Sequence, residues 1–234
     1  MKFRVRHEWR IGGLYRPSLP SPGPAVLMLH GFPGVLKNED MAADLCRRGM
    51  TVLMPYYRGC WGSPGSFSVR GAFDDARAGL ELLSRYGRVD ARRVGLLGYS
   101  FGGWAALRLA AEAKVAAVAA MAPAVPHGDG AATARYLRRF GRVVRLPSLA
   151  GAWDEYAAAS REDRPDDYLA RIPPLLIVEG RRDRLVPPEA VSRLWSRVPG
   201  PKELASFPDE DHEFLNDRPK VVASVCGWLE SRLS

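Results

Sequence analysis

The stretch Gly98-Tyr99-Ser100-Phe101-Gly102-Gly103 places a serine between glycines, after an apolar run ending at Leu97 and before an Ala/Leu-rich stretch, Trp104 to Ala113. G-x-S-x-G in that strand–turn–helix setting is the pattern of a nucleophile elbow, a tight and strained turn that projects its serine. Small residues are needed where the backbone nears the adjoining strand and helix, and Gly98 and Gly102 meet that need. The chemistry such a turn supports is nucleophilic attack by Ser100, with its backbone N–H near a helix N-terminus, where positive partial charge favours a developing anion.

A serine hydroxyl needs a base, and the base needs an orienting partner. His212 is the only histidine in the last third of the chain, in Pro208-Asp209-Glu210-Asp211-His212-Glu213-Phe214, directly after a weak strand pattern ending at Phe207. It is read as the base that takes the Ser100 proton and returns it to the leaving group. The acidic neighbours Asp209, Asp211 and Glu213 are expected to raise its pKa if their side chains reach it. Asp183 lies in Glu179-Gly180-Arg181-Arg182-Asp183-Arg184-Leu185-Val186-Pro187, beyond the run Leu175 to Val178, where it is expected to fix the imidazole's tautomer. Glu179 belongs to the strand end and is the poorer candidate. A third turn, His30-Gly31-Phe32-Pro33-Gly34, follows the run ending at Leu29. The amide of Phe32, with that of Phe101, is expected to form an oxyanion hole, each donor contributing ~3–4 kcal/mol in the transition state. His30, at the strand end, is read as structural. No second histidine lies at ligand spacing from His212, so neither a metal nor another cofactor is expected.

The elements that carry these turns are legible as periodicity. Short apolar runs at Ala25–Leu29, Thr51–Met54, Arg93–Leu97, Ala116–Met121 and Leu175–Val178, and a weaker one at Glu203–Phe207, read as strands covered on both faces. Phe73, Ala76, Leu80 and Leu83 share one helical face, as do Val221, Val222, Val225 and Leu229. The alternation predicts an α/β fold with a mostly parallel sheet and helices on both faces. Lys2 to Glu8 alternates with period two, and Gly12-Gly13 is expected to be the turn of an edge hairpin. Residues 1–234 are expected to be a single domain with a small cap insertion at about 124–170. Within it Arg135, Arg138, Arg139, Arg142 and Arg145 gather on one sector of a helix, opposite Tyr136, Leu137, Phe140, Val143 and Val144. That basic face is read first as solvated and second as a reader of anionic substrates.

Composition bounds the alternatives. The chain of 234 residues is 47% hydrophobic and 26% charged, a globular balance that argues against disorder. The net charge is +8, and 29 of the 34 basic residues are arginine. They are scattered, without a nucleic-acid-binding signature, so no nucleic-acid partner is expected. The longest near-apolar run, Val115 to Val125, is too short for a bilayer, so no membrane partner is expected either. The N-terminus lacks the apolar core of a signal peptide, and Cys46, Cys60 and Cys226 are too few and too dispersed for a disulfide scaffold. These point to a cytoplasmic protein, monomeric or homodimeric.

With Ser100, Asp183 and His212 in that order, the chain from about Ala25 to its C-terminus resembles the α/β-hydrolase superfamily. The His30–Gly34 turn, the Tyr57-Arg58-Gly59-Cys60-Trp61-Gly62-Ser63-Pro64-Gly65 loop and Gly180-Arg181-Arg182-Asp183 are similar to dienelactone-hydrolase-like and prolyl-oligopeptidase-like serine hydrolases, including small cinnamoyl-esterase-type enzymes. The resemblance implies the α/β-hydrolase fold and metal-free hydrolysis of acyl esters through an acyl-serine. It also implies a cap between the sixth strand and the next helix. The residue at the elbow is serine rather than the cysteine of true dienelactone hydrolases, and no large N-terminal propeller is expected. The expected activity is therefore that of a carboxylesterase-type serine hydrolase acting on a small-molecule ester. An aminopeptidase or acyl-peptide hydrolase is the alternative, with Glu155, Asp163 or Asp166 as candidates to capture an amine. A non-catalytic ligand-binding module is a further reading. Trp61, Tyr57, Trp104, Arg138 and Arg139 are expected to bind substrate, with Phe67 and Trp153 as further wall candidates, although aromatics are more often core than pocket.

Overall fold

The apolar runs become the interior of one eight-stranded sheet because they are buried on both sides, except Glu203–Phe207, expected to be covered too, which lies at the sheet edge with Leu204 exposed. In the computed structural model, which describes residues 1–5, 8–18, 22–32, 36–125, 143–163 and 165–234, six parallel strands form its body. These are β3 (Gly23–Leu29), β4 (Thr51–Tyr56), β5 (Val89–Tyr99), β6 (Ala117–Met121), β7 (Leu175–Gly180) and β8 (Lys202–Phe207). An antiparallel pair, β1 (Lys2–Val5) and β2 (Glu8–Tyr15), extends the β4 side, giving the order β1-β2-β4-β3-β5-β6-β7-β8. All five residues of β6 and all six of β7 are buried, which accounts for the absence of polar alternation in their sequences.

The chain enters at β3, moves to β4 on one side, then crosses to β5 on the other. The crevice between the carboxyl ends of β3 and β5 is therefore the switch point, the place where open parallel sheets assemble ligand sites. The turns after β3 and β5 are those holding Phe32 and Ser100.

Seven helices are present among the described residues. Helices α1 (Glu39–Arg47) and α7 (Arg218–Leu233) pack together. Helix α2 (Val69–Ser84) packs on α3 (Phe101–Glu112). The Ser68 side chain caps α2 by accepting the Gly71 N–H, and Ala72, Ala76, Leu80 and Leu83 form its buried face. Between β6 and β7 lie α4 (Leu149–Glu162), against α2, and α5 (Pro165–Leu169), against α3; α6 (Pro188–Arg197) packs on β7. No described helix is long and apolar enough to cross a membrane.

The edge hairpin forms, but its register pairs Val5 with Glu8, so Gly12-Gly13 is not its turn. Both glycines lie inside β2, opposite Pro55 and Met54 of β4. A Cβ on Gly12 would stand 2.6 Å from the Met54 carbonyl oxygen, so this glycine permits close strand approach rather than chain reversal.

The hairpin is tied to the body of the fold by a buried charge cluster. Asp75, fully buried on α2, accepts from Arg10 Nε of β2 at 2.8 Å and from Arg58 Nη2 at 2.8 Å. Its second oxygen takes the Arg58 backbone N–H at 2.7 Å. Arg10 is itself only 1% exposed, so removing the carboxylate leaves a guanidinium without its buried counter-charge. Asp75→Ala is expected to cost about 3–5 kcal/mol in urea unfolding. A loss below about 1 kcal/mol would show that the cluster is energetically idle.

Candidate active site

The β5–α3 turn is built by close backbone contact. A Cβ on Gly98 would lie 2.2 Å from the Gly102 carbonyl oxygen, and one on Gly102 would lie 2.0 Å from that of Leu29. Only glycine fits either position, and the turn is wedged against the end of β3. Ser100 between them takes φ 55° and ψ −117°, a conformation L-residues avoid. It is held there because its N–H donates to the Met121 carbonyl (2.8 Å) while its own carbonyl accepts from Gly103 N (2.9 Å) and Ala124 N (3.0 Å).

From this turn the Ser100 Oγ lies 3.0 Å from His212 Nε2, and His212 Nδ1 lies 2.7 Å from Asp183 Oδ2. The other Asp183 oxygen accepts the Leu185 and Val186 N–H groups at 2.7 and 2.8 Å, which fixes the carboxylate plane. A carboxylate only accepts, so the proton sits on Nδ1 and Nε2 is left to accept from the serine hydroxyl. All three side chains are buried, Ser100 being 8% exposed. Residues far apart in sequence thus form one hydrogen-bonded chain.

The segment after β3 runs alongside: a Cβ on Gly31 would sit 3.3 Å from that of Ser100. Phe32 follows directly, its ring 4.3 Å from Phe67. Phe101 opens α3, its ring enclosed by Tyr57 and Phe67 (both 5.6 Å), Phe73 (5.8 Å) and Trp104 (5.9 Å). The elements expected to supply the two amide donors therefore meet beside the serine.

His30 is excluded from proton transfer by its own bonds. Its Nε2 accepts the Tyr57 N–H at 3.1 Å, so Nδ1 carries the hydrogen and donates it to the Gly31 carbonyl at 2.8 Å. Burial lowers its pKa from the ordinary 6.5 to about 4, against the opposing pull of that carbonyl. Its ring packs on Tyr57 (4.1 Å) and Trp61 (4.5 Å).

The expected wall residues separate. Tyr57 and Trp104 are fully buried, which corrects their reading as substrate contacts: Tyr57 lies under His30 and Phe101, Trp104 among Phe73, Phe101 and Tyr156. Their rings stabilise the aromatic layer behind the site instead. Trp61 is half-buried at φ 43°, against His30 and Tyr56. Trp153 is stacked on Tyr156. Arg138 and Arg139 lie outside the described residues, as do Arg135 and Arg142. Arg145 is described; its backbone exchanges hydrogen bonds with Gly59 (2.9 Å) and Phe67 (2.8 Å). Two of the three acidic neighbours of His212 are engaged elsewhere, Asp209 with Arg182 at 2.6 Å and Asp211 with the Glu213 N–H at 3.1 Å. Sequence reasoning passed over Tyr99, whose hydroxyl donates to the His212 carbonyl at 3.0 Å. Its place as the first variable residue of G-x-S-x-G was the available signal. No cluster of three or more potential metal ligands occurs among the described residues.

Fold and turn geometry together define the class, and comparison with known proteins agrees. Residues 26–225 match the model of the alpha/beta hydrolase family, and the chain belongs to that family. An uncharacterized protein of Mycobacterium tuberculosis is 31% identical over 215 residues, 89% of this chain and 71% of its own. Est1E from Butyrivibrio proteoclasticus, solved with ferulic acid bound, superposes with a TM-score of 0.79 at 20% identity, covering 99% of this chain and 98% of its own. An esterase of Pyrococcus furiosus does so with a TM-score of 0.77 at 21% identity, covering 100% and 90%.

The His30 environment predicts a pH effect on stability. Between pH 6.5 and about 4 the unfolded chain binds a proton at His30 that the folded protein refuses, so stability is lost as pH falls through that window. Between pH 7 and 4.5 the wild type is expected to lose about 2–3 kcal/mol more than His30→Asn in urea titrations. Equal losses would show that the buried ring is not held neutral.

Proposed function

We propose that this protein hydrolyses carboxylic esters through an acyl-serine intermediate. The observation that carries the reading is the continuous Asp183–His212–Ser100 hydrogen-bond chain, with steps of 2.7 and 3.0 Å. Ser100 Oγ attacks the acyl carbon while His212 Nε2 removes its proton, and Asp183 stabilises the imidazolium that results. The oxyanion that forms is received by the amides of Phe32 and Phe101. The imidazolium then protonates the leaving alcohol and the acyl group stays on Ser100. Water, deprotonated by His212, attacks the acyl carbon; the acid departs and Ser100 recovers its proton.

An ester is favoured over a peptide N-terminus by the state of the carboxylates considered for amine capture. Asp163 is buried and accepts from Arg108 (2.6 Å) and the Tyr168 hydroxyl (2.9 Å), and Asp166 pairs with Arg197 at 2.9 Å. Glu155 takes the Arg70 N–H at 3.3 Å. The names of the esterase neighbours are consistent with this reading, although at their level of identity they share the fold alone.

Ser100→Ala is expected to abolish turnover of a short p-nitrophenyl ester, and a fluorophosphonate to modify the wild type at Ser100. Asp183→Asn is expected to lower kcat by about 10⁴-fold through the wrong imidazole tautomer. Equal turnover by wild type and Ser100→Ala would refute the assignment. An aryl ester turned over more slowly than the anilide of the same acyl group would favour the peptidase alternative.

A further inference from the structure

The loop that carries His212 is organised by a residue outside the proton-transfer chain. Glu210 is 1% exposed, and its two carboxylate oxygens face back across the loop. One accepts the Asn216 N–H at 3.1 Å and the other the N–H of Asp217, the residue immediately before α7. The loop is thereby closed from two residues before His212 to five after it, around a backbone that includes Phe214 at φ 55°. The main-chain carbonyl of Glu210 accepts the Arg182 N–H at 2.9 Å, joining this loop to the one that bears Asp183. The junction is tight: a Cβ on Gly180 would lie 2.6 Å from the carbonyl oxygens of both Glu210 and Asp211. On the opposite side, the Tyr99 hydroxyl holds the His212 carbonyl from the last residue of β5, immediately before Ser100.

These contacts act on the main chain of the base, and His212 has only 3.0 Å to span to Ser100 Oγ. We propose that Glu210 and Tyr99 are positioning residues, Glu210 closing the His212 loop onto α7 and Tyr99 anchoring the His212 carbonyl, so that Nε2 stays in register with Ser100 Oγ. Hydrogen bonds from N–H groups to an ionised carboxylate are roughly twice as strong as neutral ones, and a carboxylate beside a helix N-terminus gains further from the helix dipole. Glutamine at 210 keeps the shape but sets an NH2 group against one of the two N–H donors, opening one side of the clamp. The inference rests on the ester-hydrolase reading, because the geometry it protects is that of the serine–imidazole pair.

The test compares wild type, Glu210→Gln and Tyr99→Phe. Active sites are counted by exhaustive fluorophosphonate labelling, and kcat and KM for a p-nitrophenyl ester are expressed per labelled site. Displacing a reacting group by a fraction of an ångström to an ångström costs about 10–100-fold. Glu210→Gln is expected to lower kcat per site by about 10-fold or more with KM within about 3-fold, and to slow labelling by a similar factor. Tyr99→Phe is expected to lower kcat in the same sense by about 3–10-fold. A merely structural role would reduce the melting temperature and the number of labelled sites while leaving kcat per site unchanged, and that result for Glu210→Gln overturns the proposal. If Glu210→Gln yields no folded protein, unchanged kcat per site in Tyr99→Phe overturns it. A wild type that neither labels nor turns over any ester removes the ester-hydrolase reading and this inference with it; a wild type that labels beside unimpaired variants removes this inference alone.

Discussion

The backbone of the turn after β5 presses against the last carbonyl of β3 so closely that a single methyl group at position 102 would sit 2.0 Å from it. That contact forces Ser100 out of the ordinary regions of backbone space, at a cost of order 1–3 kcal/mol. The cost is offset by the bonds linking Ser100 to Met121, Gly103 and Ala124, which belong to β6 and its exit and to the first turn of α3. Because α3 begins at Phe101, the helix N-terminus lies directly after the serine. Because the turn leans on β3, Gly31 and Phe32 arrive beside it. The meeting of Ser100, the start of α3 and the Gly31–Phe32 segment follows from one steric constraint.

A second theme is the use of buried carboxylates to shape loops at the same end of the sheet. Asp75 takes the Arg58 N–H after β4, Asp183 takes the Leu185 and Val186 N–H groups after β7, and Glu210 takes those of Asn216 and Asp217 after β8. Each anion is compensated by donors that lie nearby in the chain or across one packed contact, which makes its burial tolerable. Asp183 has a second task, since its remaining oxygen meets the imidazole. Asp75 has a different one: its guanidinium partners fasten the β1–β2 edge to the core. The same chemistry thus serves loop shape, imidazole orientation and edge docking at three places.

Much of this was legible beforehand. The parallel strands announced themselves as apolar runs, and the amphipathic faces of α2 and α7 as period-3.6 patterns. The serine, aspartate and histidine each follow a strand by a few residues, so the fold had to bring all three to one edge of the sheet. The glycines at 98 and 102 were readable because their requirement is local. Elsewhere the same logic misled. Gly12-Gly13 has the composition of a turn, yet Gly12 exists for the approach of β4, a strand about forty residues away. Tyr57 and Trp104 look like pocket aromatics, but only the layer of rings around Phe101 shows them to be interior. Glu210 was one acid in an acidic stretch, and nothing in the string separates it from Asp209 or Asp211.

By itself the sequence determined the fold class, the order of the strands along the chain and the three side chains able to form a serine–histidine–aspartate chain, because periodicity and strand-end position are properties of short segments. It also determined where glycine was indispensable at the elbow. Only the tertiary structure decided which acid is buried and which is solvated, which histidine has both ring nitrogens satisfied by backbone, and which aromatic rings are sealed from solvent. Those outcomes depend on which groups meet across the crevice between β3 and β5 and under the β8 loop. Burial, hydrogen-bond partnership and pKa arise from such encounters between distant segments, not from neighbours in the chain.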